Sequence, residues 1–414
     1  DRLPGAFDRL LSISNLDMIP RAVLALPAKG AVNFHDGPLP RHAGLNAPVW
    51  ALIEGETRHG ITWHMIEGGV DEGDILVSRG FDVSGNDTAL TLNTKAYEAA
   101  IDSFDDLMDQ LAQGLRRVPQ DLGQRSYHAL ADRPSGHGLL HFTRPAGELA
   151  RLCRALDHGG YSNPLSAPKL RAHGALWLVG SAKAVEGEGT PGQILEATDD
   201  HLTVACGTAA LRLAQFTRSC GALALVAEVG KVGETFAPEP QRARIDGQIA
   251  AAAPHETFWR QRLAAMSPLE LGGLGKEQGE LASRSLALAP RATPEALIAL
   301  WAARLDPEHR HIAYRDTALA DLSDTGIIAP WVPLALPEGA DMQSLEAVMA
   351  AELALLQKRR GFATDLPARD PALGAPQVPH LGLSLGAGHI PGTALTVELT
   401  DTGAQLHHDT GRID

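Results

Sequence analysis

Apolar positions between residues 24 and 79 come in short runs, each ended by a polar or glycine–proline break. Leu24, Ala25 and Leu26 lead into Ala31 and Val32, and Asn33 and His35 follow two apart. If this run ends a strand, alternation turns Asn33 and His35 to one face. Gly37, Pro38 and Pro40 then predict a loop, because proline brings no donor to a ladder. Residues 45–54 suit a helix. Residues 60–66 alternate like a second strand, Gly68 and Gly69 break it, and Asp71 falls in the turn beyond, with Gly73. A strand at 75–79 follows. Residues 90–114 then read as one amphipathic helix, with Leu92, Ala96, Phe104, Leu107 and Leu111 recurring at helical spacing. Thr91 or Asn93 would cap its start and Gly114 would end it. Its apolar stripe is expected to be core.

Residues 115–130 have no apolar period and read as a polar linker. A short helix, a Gly-Gly stop and an Asn163-Pro164 turn come next. Strand signals return over 174–186, 191–207 and 209–216, with Asp199 and Asp200 between two alternating runs as in a hairpin. A second linker covers 236–254. Beyond it, helices are expected near Phe258-Trp259, at 294–305 and at 346–361, with a strand at 311–316. A short helical start is expected in residues 1–8.

A chain of 414 residues is long enough for two or three domains. No apolar run has membrane-spanning length. Cys153, Cys206 and Cys220 are too few and too scattered for a disulfide framework or a zinc site, which suits a reducing, cytoplasmic setting. The 17 histidines show no metal-ligand spacing, so no metal is expected. A formal net charge of −14 argues against a nucleic-acid surface, which needs clustered Lys and Arg.

The chemistry legible around residues 33–71 is acyl-type transfer. Asn33 can donate to a developing oxyanion, His35 can move a proton near neutral pH, and Asp71 can orient that imidazole. No Ser or Cys stands nearby as a nucleophile, which favours direct transfer to an amine over a covalent acyl-enzyme. The same three residues could equally be ordinary strand-end and turn residues.

Asn33-x-His35, Leu39-Pro40, Arg41-x-x-Gly44, Gly60-x-Thr62-x-His64 and Asp71-x-Gly73 occur in the order found in the core of the folate-dependent formyltransferases. The stretch resembles that family, and its 34–48 loop is most similar to the formyltransferase domains built into non-ribosomal peptide synthetases. The resemblance implies Asn33, His35 and Asp71 as catalytic residues. It also implies that Gly37, Pro38, Leu39 and Pro40, with Gly68, Gly69 and Val70, line the pterin and formyl site. The cosubstrate would be 10-formyltetrahydrofolate, and the partners a carrier protein with a phosphopantetheine arm and adjacent synthetase domains. His64 would be structural, Glu67 and Glu72 solvated, and Asp36 turned to the face opposite His35.

The implied fold is α/β and α+β, in three parts. Residues 1–118 would be the later part of a Rossmann-like formyltransferase core. Residues 119–228 would be the family's small C-terminal domain, an OB-like β-barrel. Residues 245–414 resemble the second lobe of a synthetase condensation domain, a CAT-like α/β sandwich. The elements that precede the strand at 10–14 in the family are missing, so the chain is expected to be a fragment whose native start lies upstream; the alternative is a degenerate, inactive domain. His407-His408-x-x-Gly411 resembles the condensation signature but has the wrong spacing, and is expected to be an exposed strand-to-turn segment. Other acceptors remain open: methionyl-tRNA, an amino-sugar nucleotide, or water. So does a non-catalytic docking module.

Overall fold

The computed structural model describes residues 7–275, 279–287, 293–337 and 342–413. The helical start expected in 1–8 lies mostly outside the described residues. The first sheet holds β1 (Leu10–Ser12), β2 (Ala31–His35), β3 (Arg58–Met65) and β4 (Ile75–Asp82), side by side in that order. β1 and β2 run parallel and the other neighbours antiparallel. Alternation sorts the two central strands cleanly. Val32 and Phe34 of β2 join Ile61, Trp63 and Met65 of β3 in an apolar core. Asn33 and His35 therefore leave on the other face, where they stand opposite His64 and Thr62.

Helix α1 (Ala47–Glu54) follows the proline loop. The single helix expected over 90–114 is two, α2 (Ala89–Asp102) and α3 (Phe104–Gln113), joined at Ser103. A buried hydrogen bond falls at the junction. Trp63 Nε1 donates to Ser103 Oγ at 3.0 Å, and Ser103 is fully buried. Thr88, not Thr91 or Asn93, caps α2, while Thr91 closes the reciprocal half of the capping box. The stripe is core at Leu92, Ala96 and Leu107, but Met108 is exposed.

After α4 (Ala146–Ala155), a five-stranded antiparallel sheet is built from β5 (Lys169–Ala172), β6 (Ala175–Val185), β7 (Ile194–Ala197), β8 (His201–Ala205) and β9 (Ala210–Arg218). The order is β5-β6-β9-β8-β7, with the expected hairpin between β7 and β8. The recorded pairings leave β5 and β7 as its two edges rather than closing them into the expected barrel.

The C-terminal part is a mixed six-stranded sheet, β10 (Leu281–Leu286), β11 (His311–Asp316), β12 (Val332–Ala335), β13 (Leu381–Leu385), β14 (Leu395–Thr400) and β15 (Gly403–Asp409), in the order β10-β15-β14-β13-β11-β12. Helices α5 (Pro294–Leu305) and α6 (Met342–Arg359) pack with it. His407 and His408, expected to be exposed, are buried, because β15 lies inside the sheet between β10 and β14. His407 is bonded on both sides, to Ser283 Oγ at 2.7 Å and Glu398 Oε2 at 2.8 Å.

The second and third parts share an interior. Leu139 belongs to the same apolar cluster as Trp259 and Leu383. Beside it, Asp365 is fully enclosed between Lys169 Nζ at 2.7 Å, His137 Nε2 at 3.1 Å and Arg369 Nε at 3.2 Å. Burial pushes the Asp365 carboxyl up, but Lys169 and Arg369 outweigh that and hold it well below the ordinary carboxylate range.

Candidate active site

The site is at one rim of the first sheet, on the polar face of β2 and β3. Asn33 Nδ2 lies 3.2 Å from His64 Nε2. His64 Nδ1 is 2.8 Å from the Met65 carbonyl oxygen, which can only accept, so Nδ1 carries a proton. His35 Nε2 is 2.8 Å from the His42 carbonyl oxygen and likewise carries a proton. In the neutral ring this leaves the lone pair of His35 on Nδ1. That nitrogen faces Asp71 Oδ2 at 3.6 Å and Asp36 Oδ1 at 3.9 Å, beyond hydrogen-bond range of either. Asp36 thus comes round toward the ring, contrary to strict alternation, because the chain bends as soon as β2 ends.

Asp71 reaches the site from the turn after β3, in a left-handed conformation at φ 56°. Its Oδ2 accepts the Gly44 N–H at 2.8 Å and its Oδ1 is 3.3 Å from His64 Nε2. Burial pushes this carboxyl up, but His64, His35 and the Gly44 N–H together hold it below the ordinary range, so it is ionised near neutral pH. Asp71 therefore lies between two imidazoles, His35 on one side and His64 on the other, and Asn33 reaches the group through His64. His64 was expected to be structural, yet it is in polar contact with both Asn33 and Asp71.

The loop at 37–40 is clamped to the sheet by Thr62. Its Oγ1 donates to the Gly37 carbonyl at 2.8 Å and accepts the Leu39 N–H at 3.1 Å. Gly37 is required by close approach, since a Cβ there would meet His35 Nε2 at 2.7 Å. The loop at 68–73 is fixed from outside. Glu72 Oε2, expected to be merely solvated, accepts the Gly69 N–H at 2.9 Å. Arg125 donates to the Val70 carbonyl at 3.0 Å. Gln120 Nε2 donates to the carbonyls of Asp71 at 2.8 Å and Gly73 at 2.6 Å.

Those last residues come from the segment expected to be a linker. Residues 127–128 in fact form a short parallel pairing with 43–44, and the His128 ring stacks on Trp50 at 4.4 Å. The segment is a brace on the site. Its polar composition gave no periodicity to read; the only trace was a His and a Tyr among otherwise solvated residues. A cavity of about 350 Å³ opens elsewhere, in the C-terminal part, lined by Tyr314, Asp316, Leu356, Gln357 and Arg360 and by none of the residues above.

Residues 11–104 match the formyl transferase family and residues 135–229 match the formyl transferase C-terminal domain. These two segments are thus similar to the two domains of formyl transferases. Among curated proteins, the chain is 32% identical over 210 residues to the methionyl-tRNA formyltransferase of Paraburkholderia phymatum, covering 49% of this chain and 61% of that one. It is 35% identical over 199 residues to the methionyl-tRNA formyltransferase of Stutzerimonas stutzeri, covering 47% and 60%. The chain thus spans 61% and 60% of the length of these two relatives. Among solved structures it is similar to HypX from Aquifex aeolicus in complex with tetrahydrofolic acid, at 18% identity and a TM-score of 0.43, over 54% of this chain and 38% of that one.

Proposed function

We propose that this chain carries the transfer site of an N-formyltransferase that moves a formyl group from 10-formyltetrahydrofolate to an amine. The observation that supports it is the convergence of Asn33, His35 and Asp71 at one sheet rim, within the segment that matches the formyl transferase family. The folate supplies a formyl carbon open to attack by a neutral amine. Asn33 has an amide hydrogen beyond the one directed at His64, and it donates that hydrogen to the oxyanion formed on attack. His35 Nδ1, with its lone pair unengaged, takes the amine proton, while its Nε2–H on the His42 carbonyl keeps the ring in place. Asp71, already ionised, favours the imidazolium that results, which gives its proton to N10 of the folate as the oxyanion collapses and the C–N10 bond breaks, releasing tetrahydrofolate and the formylated amine. The loops at 37–40 and 68–70 line the pterin and formyl side.

For the acceptor we assign an aminoacyl or hydroxyornithine-type amine on the phosphopantetheine arm of a peptide synthetase carrier protein. The likeness of the 34–48 loop and the α/β part over 245–414 support this. The curated relatives favour a second reading, methionyl-tRNA. Against it, the charge of −14 gives a polyanion little to hold.

The experiment is formyl transfer by the full-length protein, offered an aminoacyl carrier protein and methionyl-tRNA in parallel, with formate release monitored. Formylation of the carrier-bound amine is expected. Formylation of the tRNA alone would replace the acceptor; no transfer to either, with only formate released, would point to a hydrolase.

A further inference from the structure

Beside the transfer site, and independent of its reading, three side chains from separate segments bring metal-ligating atoms close together. They are His42, from the strained turn after the proline loop, Glu54, at the end of α1, and His128, from the brace. Their ligand atoms all lie within 4.8 Å of one another. His128 Nε2 is 3.5 Å from Glu54 Oε1, and His42 Nε2 is 4.0 Å from Glu54 Oε2. Glu56 Oε1 stands 3.9 Å from His42 Nε2 as a possible fourth group.

What sets this cluster apart is that its donor atoms are unused. The His42 side chain is 1% exposed, yet neither of its ring nitrogens has a hydrogen-bond partner, and His128 Nε2 has none either. Buried polar atoms are nearly always paired, so an orphaned, enclosed imidazole asks for an explanation. The only cation recorded against Glu54 among the described residues, apart from histidines, is Arg41 at 3.8 Å. Arg41 is half-exposed and already committed to Glu56.

We propose that His42, Glu54 and His128 bind a divalent transition-metal cation of the zinc class, which straps the 115–130 brace to the loop and helix that frame the transfer site. Two imidazoles and one carboxylate are the donor set that Zn²⁺ takes, whereas Ca²⁺ and Mg²⁺ require mostly oxygen. Bonds of 2.0–2.1 Å at tetrahedral angles place ligand atoms about 3.3 Å apart. The observed separations have to close modestly to reach that spacing, and Glu54, on the open side, has the room to do it. The backbone is already organised for a strap. His42 N–H bonds Ser126 Oγ at 2.8 Å, and Leu45 N–H bonds the His128 carbonyl at 2.9 Å. Gly44 fits only as glycine, since a Cβ there would meet that carbonyl at 2.1 Å. The cation would also fix the His42 carbonyl on which His35 rests.

The test is a Zn²⁺ titration of the full-length, untagged, chelator-stripped protein against a chromogenic competitor, with Co²⁺ absorption as a second readout of coordination. One equivalent is expected to bind, to give the intense visible bands of a tetrahedral site, and to raise the thermal midpoint. Glu54→Gln removes a ligand at the exposed edge without touching the core, and His128→Phe keeps the stack on Trp50. Each is expected to weaken that equivalent roughly 100-fold or more, given that even an outer-shell partner is worth 10–100-fold. Absence of a stoichiometric equivalent in the wild-type protein would overturn the proposal. So would binding unchanged in both variants, which would place the ion on other histidines.

Discussion

Asn33 and His64 face each other across β2 and β3, and one nitrogen of His64 is shared. Its Nε2 lies 3.2 Å from the Asn33 amide nitrogen and 3.3 Å from Asp71 Oδ1. These two partners ask for opposite states. With Nδ1–H held by the Met65 carbonyl, a neutral ring accepts at Nε2 from Asn33, whereas a charged ring donates there to Asp71 and releases the asparagine amide. Asn33 and Asp71 are thus tied to each other through one imidazole nitrogen.

Replacing His64 by Phe leaves Asn33 and Asp71 without their common partner while keeping a ring in the strand. The expected result is a fall in kcat for formyl transfer of about 10²-fold, the scale of a catalytic group displaced by about 1 Å, with KM for the acceptor little changed. Steady-state kinetics in the full-length protein check it.

Gln120 acts through the backbone. Its amide holds two carbonyls of the Asp71 turn, so Gln120→Ala costs two hydrogen bonds of about 1 kcal/mol each in the ordering of that turn. Roughly tenfold lower kcat is expected, with a loss of about 1–2 kcal/mol in unfolding free energy by chemical denaturation.

Ser103→Ala leaves the buried Trp63 indole N–H with no acceptor. A loss of about 1–3 kcal/mol in unfolding free energy is expected from urea denaturation. The same substitution would favour one continuous helix over residues 89–113, readable as added helical circular dichroism.

Much of this site was legible because strand alternation is a rigid rule. It put Asn33 and His35 together, and the Gly68-Gly69 break put Asp71 in a turn after the second strand. The helix at 90–114 reads as continuous because its apolar period runs unbroken past Ser103, and the bond that Ser103 makes at the junction comes from Trp63, forty residues away. The brace was missed because Gln120, Arg125 and His128 act by hydrogen bonds and stacking, which leave no hydrophobic period. His407 and His408 read as exposed because they are polar, but β15 lies inside the sheet and buries both, and His407 finds its partners there in Glu398 and Ser283.

Removing charge from Asp365 should unfold more than its neighbourhood, since it joins the second and third parts of the chain. Asp365→Asn leaves the buried Lys169 ammonium without its carboxylate, while Arg369 keeps Glu256 at 2.9 Å, at a cost of about 3–5 kcal/mol. In the wild-type protein the pH dependence has one sign. The Asp365 carboxyl lies lower in the folded than in the unfolded chain, so its contribution is present above the unfolded carboxylate range and is lost as pH falls through the folded value. Burial pushes His137 down to about 4, so between about 6.5 and that value the unfolded chain binds a proton that the folded chain does not. Stability should therefore decline as pH is lowered below about 6.5, as thermal unfolding across a pH series will show.

The most direct measurement is formyl transfer from 10-formyltetrahydrofolate by the full-length protein and its His35→Ala and Asn33→Ala variants, each shown to be folded. Loss of the proton acceptor should lower kcat by about 10²–10⁴-fold, and loss of the oxyanion donor by about 10²–10³-fold. Undiminished turnover in His35→Ala would contradict the assignment of this rim as the place where the formyl group changes hands.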